Sequence, residues 1–330
     1  MYVIGKNIFI DELQELVTRY SKVYIVCDHK IDEGKVMNRT WPDVVVECCQ
    51  IVATEENKTS KAKEQIENCL FENELDRDSC VVAIGGGITT DIVGFVASTF
   101  LRGIHLINIP TTLLAQADAS IGSKNGINTK YGKNLIGSFK EPDAVIIDLS
   151  FLDTLPRIEI KNGLAEMVKY GAIIDEELFG HLEEEENLIN EKNIKRCIDL
   201  KLDIVSKDLY DMKGIRSSLN FGHTIGHAIE SASKFSVPHG KAVAIGMTIE
   251  SSIAEKLIGF KDKERIVALL RKLEIINDDD YQISLDSLLP FMKRDKKNKE
   301  DKIAFALPNK IGSFQNVSIT ESELGEAYGR

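Results

Sequence analysis

The fold turns on residues 81–95, V-V-A-I-G-G-G-I-T-T-D-I-V-G-F. An apolar β-branched run at 81–84 enters three consecutive glycines, Gly85, Gly86 and Gly87, and leaves them as a helix-compatible segment. With no Cβ in the way, backbone N–H groups at the helix start can come close to a phosphate. The pattern is not G-x-G-x-x-G, and a tight strand-to-helix turn that binds nothing would carry the same residues. Asp91, one turn into the helix, suits the helix dipole with or without a ligand.

Working outward, short buried-strand runs at 22–28, 44–52, 81–84, 104–109 and 144–148 alternate with helical periods at 58–73 and 88–101. That alternation predicts a Rossmann-like parallel α/β domain over 1–149, with its ligand at the carboxyl ends of the strands. Residues 110–139 combine Thr111, Thr112, Asp118, Lys124, Lys133 and Asn134 with many glycines and few acids, a basic island in an acidic chain. Solvated lysines are the plain reading; glycines beside Lys124 and Lys133 would also let a phosphate or carboxylate approach. Beyond about 150 the strand pattern gives way to helical periods at 161–174, 190–207, 222–233, 241–257, 261–273 and 284–293. This predicts a helical second domain over 150–330, closed by a small hairpin at 303–314.

That second half holds R-S-S-L-N-F-G-H-T-I-G-H-A-I-E-S-A-S-K-F-S-V-P-H-G at 216–240. His223 and His227 are four apart, so both imidazoles project from one helix face. His239 follows sixteen residues after His223, beside Pro238 and Gly240, where a turn before a helix from Lys241 can aim it back. Alone, H-x-x-x-H is a weak signal, more often a solvated or core-satisfied pair than a metal site. Glu166 and Lys169 are three apart on an otherwise apolar helix. They read as an internal ion pair, or Glu166 completes a His2Glu zinc site with His223 and His239.

The composition sets outer bounds: 330 residues, 43% hydrophobic and 28% charged, support a buried core and two domains. A formal charge of −11 argues against nucleic-acid or anionic-membrane surfaces. No basic start followed by an apolar segment and no membrane-length run occurs, so a cytoplasmic enzyme is expected. The six cysteines lack a C-x-x-C pair and read as reduced core thiols; Cys48 and Cys49, adjacent on a strand, point to opposite faces. The acidic run at 183–186 reads as a solvated helix end, and the basic run at 292–299 as surface charge.

Taken together the motifs resemble those of the dehydroquinate synthase family of sugar-phosphate cyclases. In order they are E-x-x-K at 55–58, G-G-G-x-x-x-D at 85–91, R-G at 102–103, P-T-T-L-L-A at 110–115 and G-K-N at 132–134. They continue with T-L-P at 154–156, G-x-A-E-x-x-K at 163–169, R-x-x-L-N-x-G-H-T-x-G-H-A-x-E at 216–230, H-G at 239–240 and D-K-K at 295–297. The resemblance implies an NAD-binding α/β domain, an all-α metal-binding domain and an active site in the cleft between them. It gives Glu166, His223 and His239 to the divalent metal, zinc or cobalt, and leaves His227 unligated near the chemistry. NAD+ would meet Asp28, Glu55, Lys58, Gly86, Gly87, Asp91, Thr111, Thr112, Lys133 and the segment from Phe151 to Thr154, with Asp118 and Lys124 nearby. The anionic sugar phosphate would meet Asp118, Lys124, Asn134, Lys169, Lys201, Arg216, Asn220, His227 and one or both of Lys296 and Lys297. Arg102 would reach the substrate phosphate of a partner subunit, which implies a homodimer.

The implied reaction turns 3-deoxy-D-arabino-heptulosonate 7-phosphate into 3-dehydroquinate and phosphate. Metal-bound hydroxyls are easier to deprotonate, and NAD+ would take a hydride from the carbon that bears the deprotonated one. The resulting ketone acidifies the adjacent C–H, phosphate is eliminated, the hydride returns, and ring opening and an aldol step close the carbocycle. Two stretches depart from the family pattern. D-S-S-V-G-G-K-T is replaced by D-A-S-I-G-S-K-N at 118–125, and the acidic D-E-x-E-x-G-x-R by K-D-L-Y-D-M-K-G-I-R at 207–216, with one extra residue and no clear second glutamate. A sister cyclase such as 2-deoxy-scyllo-inosose synthase is therefore the alternative. Arg216 and Asn220 favour a carboxylated substrate, since guanidinium pairs bidentately with carboxylate. A metal-dependent polyol dehydrogenase would not need the lysine-rich clusters.

Overall fold

The computed structural model describes residues 1–32, 34, 45–280, 283–293 and 302–328. Two compact units divide the chain, Met1–Leu155 and Pro156–Arg330.

The first unit is built on a six-stranded sheet of β1 (Tyr2–Gly5), β2 (Lys22–Asp28), β3 (Val45–Ile51), β4 (Cys80–Gly85), β5 (His105–Pro110) and β8 (Ala144–Asp148), in the order β1-β8-β5-β4-β2-β3. All of its pairings are parallel. Alternate residues of each strand enter two cores, the expected result for strands covered on both faces. Tyr24, Val26, Val81 and Ala83 pack with Ile66 and Leu70 of α2 (Ser60–Glu72) and with Ile92, Val93 and Val96 of α3 (Gly87–Thr99). Val23, Ile25, Val82 and Ile84 face the other way, onto Leu13, Leu16 and Val17 of α1 (Phe9–Val17). Between β5 and β8 the chain makes a five-residue π-helical turn, Ala115–Ala119, and an antiparallel hairpin, β6 (Lys124–Thr129) and β7 (Gly132–Phe139). The basic island at 110–139 is therefore largely a hairpin. Edge strand β1 was not expected from the sequence; its partner is the distant β8.

The second unit is mainly helical: α4 (Arg157–Ile173), α5 (Glu176–Glu184), α6 (Glu191–Lys207), α7 (His223–Ala232), α8 (His239–Ile258), α9 (Lys263–Lys272), α10 (Leu285–Met292) and α11 (Glu321–Tyr328). It is not purely helical, because β9 (Ile303–Lys310) and β10 (Ser313–Ile319) form the hairpin anticipated at 303–314 and extend it. Helix α4 starts after Pro156 and is buried at every position from Asn162 to Ile173, so whatever it carries lies in the core. Helix α8 starts at His239, with Pro238 at its cap, and stops at Gly259 in a left-handed conformation (φ 73°). This corrects the expectation of a turn up to Lys241: His239 is the first residue of a helix, and Pro238 supplies the break. Among the described residues no helix is long and apolar enough to cross a membrane. None of the six cysteines forms a disulfide.

Gly85 shows why the deciding turn needs glycine. A Cβ there would lie 2.4 Å from Thr89 Oγ1 and 2.7 Å from Thr89 Cβ, on the first turn of α3. Gly85→Ala is expected to cost about 1–3 kcal/mol of stability through this overpacking, measured by urea unfolding; a loss below about 0.5 kcal/mol would show that α3 can back away from the sheet.

Candidate active-site groups

In the first unit, connections from β2 and β4 lead to opposite sides of the sheet, towards β3 and towards β5. Between the adjacent carboxyl ends of β2 and β4 lies the switch point where open α/β sheets take their ligands. Asp28 ends β2, pairing with His29 Nδ1 at 2.8 Å, and Gly86 and Gly87 follow β4. Thr111 donates its N–H to Gly85 O at 3.0 Å, and Thr112 Oγ1 accepts from Ala115 N at 3.2 Å, opening the π-helical turn that holds Asp118. Phe151 packs on Phe9 with ring centroids 5.0 Å apart, in the 3-10 turn Leu149–Thr154 that also carries Thr154. The Asp148 carboxylate anchors that turn by accepting from the N–H groups of Asn7, Ile8, Phe9 and Ser150. Burial alone would raise this carboxyl, but those donors hold it below its ordinary range.

The loop before α2 and the hairpin share one polar network. Buried Lys58 pairs with Asp91 and donates to Asn134 Oδ1 at 2.6 Å. Lys133 Nζ is 3.5 Å from Glu55 Oε1, which also accepts from Asn128 Nδ2 at 2.7 Å. Asn128 Oδ1 in turn accepts from Asn134 N at 3.0 Å. Five of the sequence-expected residues thus meet in one place, with Asn128 as a hub that no motif revealed. The structure places Asn134 beside Lys58 and Asp91, in a left-handed conformation (φ 50°).

Within the departed stretch 118–125, Asn125 Nδ2 donates to Ser123 O and Lys140 O, both at 2.9 Å, and ties the base of the hairpin. Ser123, where the family pattern has glycine, takes a left-handed φ of 68° while its hydroxyl donates to Gly122 O. Lys124 is exposed at the start of β6. Arg102 is exposed in a turn where Leu101, Arg102 and Gly103 all have positive φ.

In the second unit, α4 carries Glu166 and Lys169 into the core, at 0% and 1% exposure, where the Lys169 ammonium pairs with Glu166 Oε2. The Nε2 atoms of His223 and His239 lie 3.5 and 3.4 Å from Glu166 Oε1. Neither carboxylate oxygen accepts a hydrogen bond of normal geometry. One ligand atom from each of Glu166, His223 and His239 falls within 4.8 Å of the others, close enough to share one ion. Both imidazoles are fixed from behind: His223 Nδ1 faces Phe221 O at 3.1 Å and His239 Nδ1 faces Glu230 Oε1 at 3.3 Å. Such outer contacts set the tautomer that leaves Nε2 for a metal. The donor set, one carboxylate oxygen faced by two imidazole Nε2 atoms, therefore fits a divalent ion. The His227 ring sits 5.2 Å from that of His223 and 6.4 Å from that of His239, beside the cluster but outside the ligand set.

Electrostatics follow from burial. Desolvation works against the Glu166 carboxylate, yet Lys169 and then the two histidines hold it well below its usual range. Burial pushes His223 well down. Burial works the same way on His239, but the Glu166 and Glu230 carboxylates overturn it and raise that group to about 10. A raised histidine stabilises the metal-free fold fully below the unfolded value of about 6.5, and that contribution is lost as pH climbs through the folded value. A metal must displace the same proton, so binding should strengthen over that window. We predict that the thermal stabilisation given by a chelator-buffered divalent ion grows from about pH 6.5 towards about pH 10, while the metal-free protein weakens. A metal-induced shift in Tm that stays flat with pH would contradict this.

Lys201 projects from α6 and is buried, as is Arg216 at the start of the 3-10 turn Arg216–Asn220. Arg216 is held by a loop that departs from the family pattern. The Asp208 carboxylate accepts from the N–H groups of Met212, Lys213, Ile215 and Arg216, and Arg216 Nη1 donates to Leu209 O at 2.9 Å. Burial opposes ionisation of Asp208, but those backbone donors lower it to about 2. Within this loop Asp211 and Gly214 take positive φ. Asp208→Asn, which offers one acceptor oxygen instead of two, should speed tryptic cleavage at exposed Lys213; unchanged cleavage would show that the loop holds without the carboxylate. Lys296 and Lys297 lie outside the described residues.

A parallel α/β half with a glycine turn at its switch point, and a helical half with a buried Glu-His-His cluster that could hold one ion, define a two-unit protein with a candidate metal site. Two family models match, "3-dehydroquinate synthase N-terminal" over residues 48–162 and "3-dehydroquinate synthase C-terminal" over 163–298. A 3-dehydroquinate synthase of Sulfurisphaera tokodaii is 38% identical over 331 aligned residues, covering 96% of this chain and 92% of the relative. A solved 2-deoxy-scyllo-inosose synthase, complexed with carbaglucose-6-phosphate, NAD+ and Co2+, is 25% identical with TM-score 0.85, covering 99% of this chain and 95% of that one. ValA, the 2-epi-5-epi-valiolone synthase of Streptomyces hygroscopicus subsp. jinggangensis with NAD+ and Zn2+ bound, is 27% identical with TM-score 0.86 over the same shares. The chain belongs to the 3-dehydroquinate synthase family.

Proposed function

We propose that this protein is a 3-dehydroquinate synthase that cyclises 3-deoxy-D-arabino-heptulosonate 7-phosphate with loss of phosphate, using NAD+ and a divalent metal, zinc or cobalt. The observation that carries this reading is the buried Glu166 oxygen facing two imidazole Nε2 atoms, at 3.5 and 3.4 Å, in a chain with that family's motifs. Three protein ligands leave positions on an ion open to substrate. Support for the cofactor pair comes from the two solved cyclases, which hold NAD+ with Co2+ or with Zn2+.

When bound, the ion polarises substrate hydroxyls and the nicotinamide accepts and returns a hydride. The remaining work falls to side chains. Asp28, Gly86, Gly87, Thr111, Thr112, Asp118, Phe151 and Thr154 form the dinucleotide seat, and the Glu55, Lys58, Asp91 and Lys133 network holds its rim. Buried Lys169, Lys201 and Arg216 present positive charge to an anion in a setting that water screens poorly. Arg216, with Asn220, orients the carboxylate, and the guanidinium fork explains a preference for a carboxylated sugar phosphate. Lys124 and Asn134 bind further substrate oxygens, and His227 handles proton transfer beside the metal ligands. Lys296 is assigned to substrate by motif. Arg102, exposed in its strained turn, serves a partner subunit in a homodimer. Six cysteines without a disulfide suit a reducing cytoplasm.

The test is turnover with NAD+ and zinc while phosphate and NADH are followed together. The expected result is phosphate release from the heptulosonate phosphate with no net NADH, abolished in His223→Ala. Release from glucose 6-phosphate instead would move the chain to the sister cyclases, and NADH build-up without phosphate would make it a dehydrogenase.

A further inference from the structure

Helix α7 begins at a metal-cluster residue, His223, yet its cap position is Gly222, which has no side chain to cap the helix. Four N–H groups at a helix start have no partner within the helix. Here a neighbouring helix provides the cap. Glu250, fully buried on α8, accepts from Gly222 N at 2.7 Å through Oε2 and from Ile225 N at 3.1 Å through Oε1. His223 is thus bracketed by the two backbone groups that one carboxylate holds. A negative charge at this end also complements the helix dipole.

The glycines show that this approach is built into the packing. Gly222 has φ 76°, and a Cβ on it would lie 2.5 Å from Met247 Cγ and 2.6 Å from Val243 O, both on α8. A Cβ on Gly246 of α8 would lie 2.0 Å from Gly222 O. The first turn of α7 therefore rests backbone to backbone on α8 at the level of Glu250. A side-chain cap on α7 itself has no room, so the carboxylate must come from across the interface. The same helix α8 begins with His239. One helix thus carries one imidazole of the cluster and clamps the backbone of the other.

We infer that Glu250 is a positioning residue for the metal centre, setting His223 Nε2 against Glu166 by capping α7 from α8. This rests on the assignment of Glu166, His223 and His239 to a divalent ion. The carboxylate touches neither substrate nor ion; its effect reaches the site through the register of α7. Outer contacts of this kind typically change metal affinity about 10–100-fold when altered.

The test is Co2+ binding to the full-length protein, read by visible absorption and by competition with a chelator. Four variants, Glu250→Gln, Glu250→Asp, His223→Ala and Leu324→Ala, are compared with the unaltered chain. Glu250→Gln keeps the shape with one acceptor oxygen, and Glu250→Asp keeps the charge but is one methylene too short to span both N–H groups; the second stands in if the first does not fold. Leu324, buried on α11, calibrates what loss of stability alone does to affinity. The expected result is at least about 10-fold weaker Co2+ binding with an altered spectrum in the Glu250 variants, and near-normal binding in Leu324→Ala. Equal affinity and spectrum in the Glu250 variants and the unaltered chain, or an equal loss in Leu324→Ala, would overturn the inference. Absence of Co2+ binding in the unaltered chain, or undiminished binding in His223→Ala, would instead overturn the metal assignment on which it rests.

Discussion

The second unit depends on a carboxylate placed where carboxylates do not normally survive. Glu166 has no solvent exposure, on a helix buried along its whole second half. An unpaired charge there would cost several kcal/mol or more. It is tolerated because Lys169 pairs with one oxygen and two imidazoles face the other. An apolar residue would stabilise such a core as well or better, so the arrangement is understood through what it can hold.

Placing two histidines against that carboxylate constrains their helices. His223 must begin α7 and His239 must begin α8, and the two helices meet through glycine backbone at Gly222 and Gly246. Rigidity at the cluster is thus obtained from close packing and not from extra ligands. The first unit solves a different problem, that of keeping the buried Lys58 ammonium paired. It uses a carboxylate-ammonium-amide network through Lys58, Asp91 and Asn134.

Much of this was legible in the sequence, and the limits have physical causes. Strands 22–28 and 144–148 coincide with β2 and β8 because buried parallel strands read as unbroken apolar runs. Strand β1 was invisible because four residues carry no periodicity, and its pairing with β8 is a long-range event. The β6-β7 hairpin was hidden by its glycines, which face one another closely: a Cβ on Gly137 would lie 2.0 Å from Asn125 O. The histidine spacing predicted a shared face for His223 and His227, but spacing cannot say which ring turns towards Glu166. Asn128, Asp208 and Glu250 act on backbone N–H groups or inside networks, and nothing in a residue's type announces a backbone partner far along the chain. Both departed stretches are held by hydrogen bonds of their own, through Asn125 at the hairpin base and Asp208 in the longer loop.

The most direct measurement of the central claim is anomalous scattering at the zinc edge from crystals of the protein prepared with zinc. The account predicts one ion per chain, bound by a Glu166 oxygen and the Nε2 atoms of His223 and His239, with His227 unligated. An ion held elsewhere, or one that takes His227 in place of His239, would contradict it.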